Sequence, residues 1–517
     1  MDNKSDLTPQ YIKDIRYKLE LTQQEFADQV GVGKVTVARW ETGTRKCQGV
    51  YAKIVQEIAA QSASTKTIFD LSTDDLSTLD SKKAVEAFRD LLWAECRRNQ
   101  IPTSELKIST LEIPDGGIDA EFSASSKIIA KDSFLDGGAC FFQIKAGQSW
   151  KPWQRTFAKK ELLNKQGNLG SEVHRCLTED GWYVLVCFGN DLTSDRIIKT
   201  RENIKEILSS EGFPDAKVKI WGQHQLLGHF NRFPFLSLQI LGRNKYKLDS
   251  WASWDTAGEM SVPLELGEAQ QQLLDEIRRL VRDRDVSHIR IIGEPGLGKT
   301  RLVHEALSES DLRPLVIYVP HAEDFQKSQL FHDLLNPEAD YYLILVLDEC
   351  RPRDCDEIWD RLSNHSERCM VITLDHESYN PGKQDFEELN CPFLEDEQVE
   401  NIINAYTGNV SNSRRWAELC SGVPRVAHAV GRNLLTNPDE ILKTPSMKLV
   451  WDRFISGYSE IDSIEARQKQ LVLRFIALFQ RFGFESPVQV EGEIIAKLIN
   501  DNDPAITYSR FQQIVQK

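Results

Sequence analysis

Residues 288–307, HIRIIGEPGLGKTRLVHEAL, decide how the rest of the chain is read. Ile289, Ile291 and Ile292 form a short apolar run that fits a buried strand, and Leu302, Val303 and Leu307 recur at helical spacing after the loop. Between them, Gly293-Glu-Pro-Gly-Leu-Gly298-Lys299-Thr300 fills every fixed position of G-x-x-x-x-G-K-[ST], in the order strand, loop, helix. Gly293, Gly296 and Gly298 let backbone N–H groups close around phosphate oxygens. Lys299 then reaches the outer phosphates and Thr300 offers a hydroxyl to Mg2+. The expected ligand is ATP with its magnesium ion.

Downstream, YYLILVLDE (341–349) is a second apolar strand ending in two carboxylates. Asp348 is expected to hold Mg2+ through water, and Glu349 to orient an attacking water. Strand CMVITLD (369–375) puts Thr373 where a sensor residue would probe the γ-phosphate. Beyond it LEDEQVENIINAY and RRWAELCSGVPRVAHAVGRNLL are helical, with Gly422-Val-Pro424 opening the last helix. RQKQLVLRFIALFQRFG and GEIIAKLIN…AITYSRFQQIVQK read as a winged-helix unit. Phosphate-loop core, helical subdomain with Gly-x-Pro and winged helix together resemble the STAND NTPases, from about residue 264 to the end. The likeness implies that Pro424 touches the nucleotide near adenine. It also implies that ADP/ATP exchange converts a closed monomer into a homo-oligomer. The arginine usual upstream of the loop is not evident in SVPLELGEAQ. Members of this group carry a repeat-built sensor after the winged helix, so the chain is expected to be a fragment or a shortened product.

Residues 83–240 form a separate α/β block. KAVEAFRDLLWAE (83–95) has a helical apolar stripe with Glu86 beside it. Next come a strand, a Pro-Asp-Gly-Gly turn, a second strand starting at Ile118, and a third, CFFQIK. Alternation places Gln143 and Lys145 on one face of that strand and Phe142 and Ile144 on the other. A hairpin then brings Asp119 beside Gln143 and Lys145. Phosphodiester hydrolysis needs a hard cation on oxygen ligands and a nearby positive charge. Asp119 supplies a carboxylate, Gln143 an amide oxygen and Lys145 the cation, with Glu86 completing the shell through water. Asp119 and Gln143 are thus the expected metal ligands, and Asp115 or Glu121 would offset the charge lost by having Gln at the second position. IDAEF…FFQIKAG resembles the PD-(D/E)xK nucleases, nearest to Mrr-like variants with Gln-x-Lys, which implies a restriction-endonuclease-like fold.

The first sixty residues are different again. Tyr11, Ile15 and Leu19 fit one amphipathic helix. Thr22 with Glu25 makes a capping box, and Gly31 permits a tight turn into a helix from near Gly33 through Trp40. LTQQEFADQVGVGKVTVARWETGTRK resembles the Cro/C1 type of helix-turn-helix. This implies that Gln23 donates to a phosphate and that Lys34, Val35, Thr36 and Arg39 face double-stranded DNA. Family members usually carry a hydroxyl residue where Gly33 stands, so the cap of the third helix is expected to be weak.

Composition sets the frame. At roughly 150 residues per domain, 517 residues allow several domains. Hydrophobic residues at 41% and charged residues at 27% are ordinary for globular protein, not for a disordered one. A net charge of −15 argues against a chain coated in basic charge, yet residues 1–60 hold nine Lys/Arg against eight Asp/Glu. No apolar run is long enough to span a membrane and the N-terminus lacks a signal peptide, so a cytoplasmic protein is expected. The ten cysteines are scattered, and reduced, buried thiols are expected rather than disulfides or zinc sites. Linkers are expected at 61–82, 241–263 and 436–446.

The domain reading is therefore a helix-turn-helix at 8–60, a nuclease-like domain at 83–240, a P-loop NTPase core at 264–390, a helical subdomain at 391–440 and a winged-helix unit at 445–517. The fold class is multidomain, all-α in the head and α/β in the two central blocks. The expected function is a DNA-binding, ATP-regulated, Mg2+-dependent endonuclease of bacterial antiviral defence, set off by a phage-derived trigger. A transcriptional regulator with an inactive nuclease fold is the alternative, and an NTP-driven translocating restriction enzyme a more remote one.

Overall fold

The chain is described from a computed structural model covering residues 7–516, apart from 64–66, 109–117, 123–127, 243–247, 256–263, 409–411, 437–445, 447–462, 479–488 and several interruptions of one or two residues. It divides into two compact units: 1–260 with 275–292 and 303–389, and 261–274 with 293–302 and 390–517.

The first unit begins with four helices, α1 (Pro9–Lys18), α2 (Gln23–Val30), α3 (Lys34–Glu41) and α4 (Val50–Ala63). Thr22 and Glu25 form the reciprocal cap of α2, and Gly31 ends it at φ 76°. Gly33 caps α3 without a side-chain bond, as the glycine there leads one to expect. Ile12, Ile15, Phe26, Val30, Val37 and Trp40 make the head's own core. Arg16 pairs with Glu41 at 2.6 Å within it.

The stretch 61–82, expected to be a linker, is not one. Phe69, Leu71 and Leu76 are buried, and Ser72 caps a short helix, α5 (Thr73–Ser77), through a capping box with Asp75. A polar composition hid three apolar anchors at wide spacing.

A five-stranded sheet follows. Its strands are β1 (Leu106–Ile108), β2 (Ala120–Phe122), β3 (Cys140–Lys145), β4 (Trp182–Cys187) and β5 (Lys217–Trp221), hydrogen-bonded in that order. β1, β2 and β3 are antiparallel, whereas β3, β4 and β5 are parallel. On one face α6 (Ser81–Arg98) sets Phe88 against Phe142 and Trp221. On the other, α7 (Arg155–Leu162), α8 (Ser171–Thr178) and α9 (Ser194–Ser210) bury Phe141, Tyr183 and Leu185. Two further helices, α10 (Gln223–Phe230) and α11 (Pro234–Leu241), close the block.

The second sheet orders its six strands β11-β7-β10-β9-β8-β6. They are β6 (Asp249–Ser250), β7 (His288–Ile292), β8 (Val316–Val319), β9 (Leu343–Leu347), β10 (Cys369–Asp375) and β11 (Phe386–Asn390). The neighbours β7, β10, β9 and β8 are parallel, so β10 is inserted between the strand before the phosphate loop and the strand before Asp348. These four strands are buried on both faces, as parallel strands flanked by helices are. The expected linker at 241–263 is partly structural: β6 pairs antiparallel with β8, and Trp254 stacks on Tyr318. Nor do the two sheets stand apart. The Tyr342 N–H donates to the Arg232 carbonyl at 2.8 Å, and Arg97 pairs with Asp311 at 3.8 Å. All ten cysteines are buried and free.

In the second unit the phosphate-loop segment 293–302 lies with the helical tail. Val399, Ile403, Trp416, Val426, Val430 and Leu434 pack one helical cluster. Helices Ile464–Ile476, Gln489–Asn502 and Tyr508–Gln516 pack another around Val472, Ile495, Ile499, Ile506 and Phe511. Among the described residues of 445–517 there is no strand, so the wing of the expected winged helix is not seen there. The expected linker 436–446 lies almost wholly outside the described residues.

Candidate functional site

β2 and β3 pair Ala120 with Phe142. Continued by one residue, that register sets Asp119 opposite Gln143, on the face that Lys145 shares. The Asp119 carboxylate accepts the Ile144 N–H at 2.6 Å, so the expected hairpin does bring Asp119, Gln143 and Lys145 together.

Glu161 on α7, which sequence reasoning missed, meets that group. Its carboxylate accepts from Lys145 at 2.5 Å, from the Gln143 amide at 3.2 Å and from the Trp150 indole at 3.1 Å. The signal was present but faint: Glu161 lies next to Leu162 and three residues after Ala158, both buried, so it is an acid on an apolar helix face. Behind Gln143 lies Tyr183, whose hydroxyl donates to the amide oxygen. Burial holds the Tyr183 phenol well above its ordinary pKa, so it stays a donor. Gln143 itself is only 2% exposed. Its oxygen faces Tyr183 and its NH2 faces Glu161, which corrects the expectation of an amide oxygen offered to a metal.

Two other expected carboxylates are placed elsewhere. Glu86 is on α6, whose Phe88 packs on the Phe142 face of the sheet, and it is not among the groups joined at Glu161. Its charge, after burial, helps to raise the neighbouring Asp90 carboxyl. Glu121 is buried and engaged by Arg175 at 2.6 Å. Asp115 lies outside the described residues.

The loop after Lys145 is drawn in tightly. A Cβ at Gly189 would stand 2.3 Å from the Gly147 carbonyl oxygen, so only glycine fits there. From 146 to 165 the chain carries Lys151, Arg155, Lys159, Lys160 and Lys165, with Glu161 the one acid. All five cations are exposed. In a chain of net charge −15 this is a locally basic stretch of sequence after Lys145, although Arg155 pairs with Glu206 of α9 at 3.2 Å.

In the second unit, Gly293, Gly296 and Gly298 have φ 155°, 90° and 85°. Such backbone is open to glycine and turns successive N–H groups inward. Lys299 bonds the Gly293 and Glu294 carbonyls at 2.7 and 3.1 Å, and Thr300 follows it at the start of α12 (Lys299–Ala306). Pro424 opens α13 (Pro424–Thr436), and the next residue bonds the loop: Arg425 N–H to the Gly296 carbonyl, 3.2 Å.

In the first unit, Asp348 follows β9 and accepts from the Tyr318 hydroxyl at 3.0 Å. Glu349 sits at φ 48° and pairs with His321 at 2.7 Å. Thr373 does not stand at the strand's exit, where a sensor was expected. It is 1% exposed, and its hydroxyl meets His288 at 2.9 Å and Arg290 at 3.4 Å. Asp375 ends β10 instead and holds Arg290 at 2.9 Å. A two-residue strand period explains why 373 and 375 share a face and why only the outer one reaches the end.

On the head, Lys34, Val35 and Arg39 are exposed on one side of α3 and Thr36 is half-buried, with Val35 63% exposed. Gln23 points differently from expectation: its amide donates to the buried Glu41 at 2.7 Å.

Residues 12–47 match the helix-turn-helix family model HTH_3. No curated protein matches the chain. Among solved structures it is similar to a STAND protein with a tetratricopeptide repeat sensor from Pyrococcus horikoshii, at 16% identity and TM-score 0.29, over 43% of this chain and 36% of that one. Another is the ORC1 protein of Aeropyrum pernix in complex with DNA, at 16% identity and TM-score 0.29, over 52% and 86%. A third is NtrX from Brucella abortus in complex with ATP, at 13% and TM-score 0.27, over 66% and 85%. The chain thus spans about a third of the first of these structures.

Proposed function

We propose that this chain is a DNA-binding, ATP-regulated, Mg2+-dependent DNA endonuclease. In this reading the head holds double-stranded DNA, the 83–240 block cuts it, and the P-loop NTPase core at 264–390 governs when. The observation that carries it is the grouping of Asp119 and Lys145 on one sheet face, followed in the chain by a basic stretch whose cations are exposed. A hard cation fits the donors present, since Mg2+ is commonly held by one or two carboxylates and keeps several waters. When bound, it would polarise the scissile phosphate and lower the pKa of a water. The chain's own residues do the rest: Lys145 offsets charge on the phosphate, and the exposed cations of 151–165 hold the flanking strand.

ATP is the ligand proposed for the glycine-lined loop, with Lys299 assigned to the phosphates, Thr300 to Mg2+ and Pro424 to the base; Asp348 for Mg2+ and Glu349 for the water are carried over from the sequence motif. ATP drives a switch by binding one state more tightly than the other; that state is read as a homo-oligomer which brings cutting domains onto one duplex. Defence against phage DNA is the proposed setting. Plasmid cleavage with Mg2+, with and without ATP, tests the reading by comparing wild type with Lys299→Ala and Lys145→Ala. Equal cutting by all three rejects it.

A second reading, a transcriptional regulator with an inactive nuclease fold, has one observation in its favour: among the described residues, no group of three or more His, Cys, Asp or Glu is placed to hold a metal. DNA binding without cleavage, unchanged in Asp119→Ala and Lys145→Ala, would select it.

A further inference from the structure

We propose that Tyr318 is a positioning residue for Asp348, and that residues 249–255, a tether leading from the 83–240 block into the P-loop core, set it through Trp254. The inference rests on the nucleotide reading above and deepens it. The carboxylate given to Mg2+ is ordered by residues that belong to neither the phosphate loop nor the strand that carries Asp348.

Both oxygens of Asp348 are engaged. Oδ1 accepts the Glu349 N–H at 2.9 Å, and Oδ2 accepts the Tyr318 hydroxyl at 3.0 Å. Its main chain is tied to the end of β8 and the residues after it. The Asp348 N–H donates to the Val319 carbonyl at 2.9 Å, and its carbonyl accepts the Ala322 N–H at 3.1 Å. With the backbone fixed and one oxygen bound to the next residue, the phenol settles how the carboxylate is turned. A lysine or arginine in that place would offset the charge a cation needs. A neutral phenol donates and leaves the charge intact.

The tether places the phenol. β6 pairs Asp249 with Tyr318 and Ser250 with Ile317. The Ser250 N–H donates to the Ser253 hydroxyl at 2.7 Å and the Ser253 N–H to the Ser250 hydroxyl at 2.9 Å, which starts the short helix Trp251–Asp255. From that helix Trp254 lies flat on the Tyr318 ring, with centroids 4.1 Å apart and planes 8° from parallel. Trp254 is 2% exposed, and the His304 imidazole stands perpendicular to it at 5.0 Å. Trp251 stacks on the same imidazole at 4.4 Å and donates its indole N–H to the His304 carbonyl at 2.9 Å. Two tryptophans of the tether thus join β8 to the last turn of α12. Phenylalanine would fill the place of Tyr318 in this stack, so packing does not account for its hydroxyl; the carboxylate it meets does.

The test is ATP binding to the full chain by titration calorimetry, in EDTA and across Mg2+ concentrations, with ATP turnover measured beside it. Tyr318→Phe keeps the ring on Trp254 and removes the donor. Its melting curve and its ATP affinity in EDTA should match wild type. The Mg2+ concentration that gives half of the metal-dependent gain in affinity, and half-maximal turnover, should rise about tenfold. Trp254→Leu should raise it in the same way, and the double variant should be no worse than Tyr318→Phe, because both act through one hydroxyl. If Trp254→Leu does not fold, Trp254→Met, which fills more of the space without a flat face, takes its place in the same comparison. A Trp254 variant that melts early with an unchanged Mg2+ requirement, or whose effect adds to that of Tyr318→Phe, overturns the part given to the tether. A wild-type Mg2+ requirement in Tyr318→Phe overturns the positioning role and leaves the nucleotide reading standing. A wild type that binds no ATP, or gains nothing from Mg2+, rejects the nucleotide reading itself.

Discussion

The backbone N–H of Arg425 donates to the carbonyl of Gly296 at 3.2 Å, which seats the Gly422-Val423-Pro424 turn on the middle of the phosphate loop. Any change of shape in that loop is thereby felt at the start of α13. Gly296 has φ 90°, and an added Cβ would lie 3.2 Å from Arg425 Cβ and 3.3 Å from Val423 Cγ1. Gly296→Ala is expected to cost about 1–3 kcal/mol in backbone strain and to weaken ATP binding. Gly298→Ala, at φ 85° with nothing within 4 Å of the added carbon, should show the strain without the collision. Melting curves and ATP titration calorimetry on both variants check this.

Lys299 makes its bonds to two loop carbonyls, at 2.7 and 3.1 Å. Lys299→Ala should leave the melting temperature without nucleotide nearly unchanged. A charge-assisted bond of about 1.5–3 kcal/mol corresponds to a loss of roughly ten- to a hundredfold in ATP affinity. Calorimetric titration with ATP measures it, and full affinity in the variant would contradict the role of the loop.

The head separates a contact residue from a structural one. Arg39 is exposed on α3, so Arg39→Ala should keep the fold, weaken DNA binding and lower the salt slope by about one if it meets a phosphate. Arg16 is different: it is buried and paired with Glu41 at 2.6 Å. Arg16→Ala leaves the Glu41 charge with only the Gln23 amide to meet it and should cost about 3–5 kcal/mol. Salt-dependent fluorescence anisotropy for DNA binding and circular-dichroism melting for stability distinguish the two.

His229 is wedged against Phe134 and Trp221, at ring distances of 4.5 and 5.2 Å. Burial, helped by Arg232, pushes its pKa from 6.5 down to about 4. The unfolded chain then binds the proton first, so stability is lost as pH falls from about 6.5 toward about 4, and the loss approaches about 3 kcal/mol at full titration. His428 in the second unit shifts in the same sense, again mainly by burial. Urea midpoints measured across that pH range should flatten in His229→Phe, whose ring cannot titrate.

Asp119→Asn keeps an oxygen to accept the Ile144 N–H and removes the charge. It should therefore melt within about 1 kcal/mol of wild type while losing Mg2+-dependent plasmid cleavage. Asp119→Ala leaves that N–H unmet and is expected to be less stable by about 1–3 kcal/mol. A cleaving Asp119→Asn protein would remove Asp119 from the chemistry.

Local patterns were legible because they are local physics. The cap of α2, the glycine turn after it and the buried strand before the phosphate loop each depend on a few consecutive residues. The same holds for the alternation that puts Gln143 and Lys145 on one side of β3. Linkers were misread where sparse apolar residues, Phe69, Leu76 and Trp254, do the packing inside polar stretches. Thr373 was placed one strand period too early, since strand length is settled by the neighbours it pairs with.

The chain's own order of residues was enough to determine the helix-turn-helix, the phosphate loop and the pairing of Asp119 with the strand that carries Lys145, because each is a short-range consequence of period, capping or backbone freedom. Only the tertiary structure decided which carboxylate meets Lys145, what occupies the Gln143 oxygen and which residue ends β10. Those contacts join residues 16 to 85 positions apart. They depend on how α7, β4 and β7 pack against strands that no local pattern relates to them.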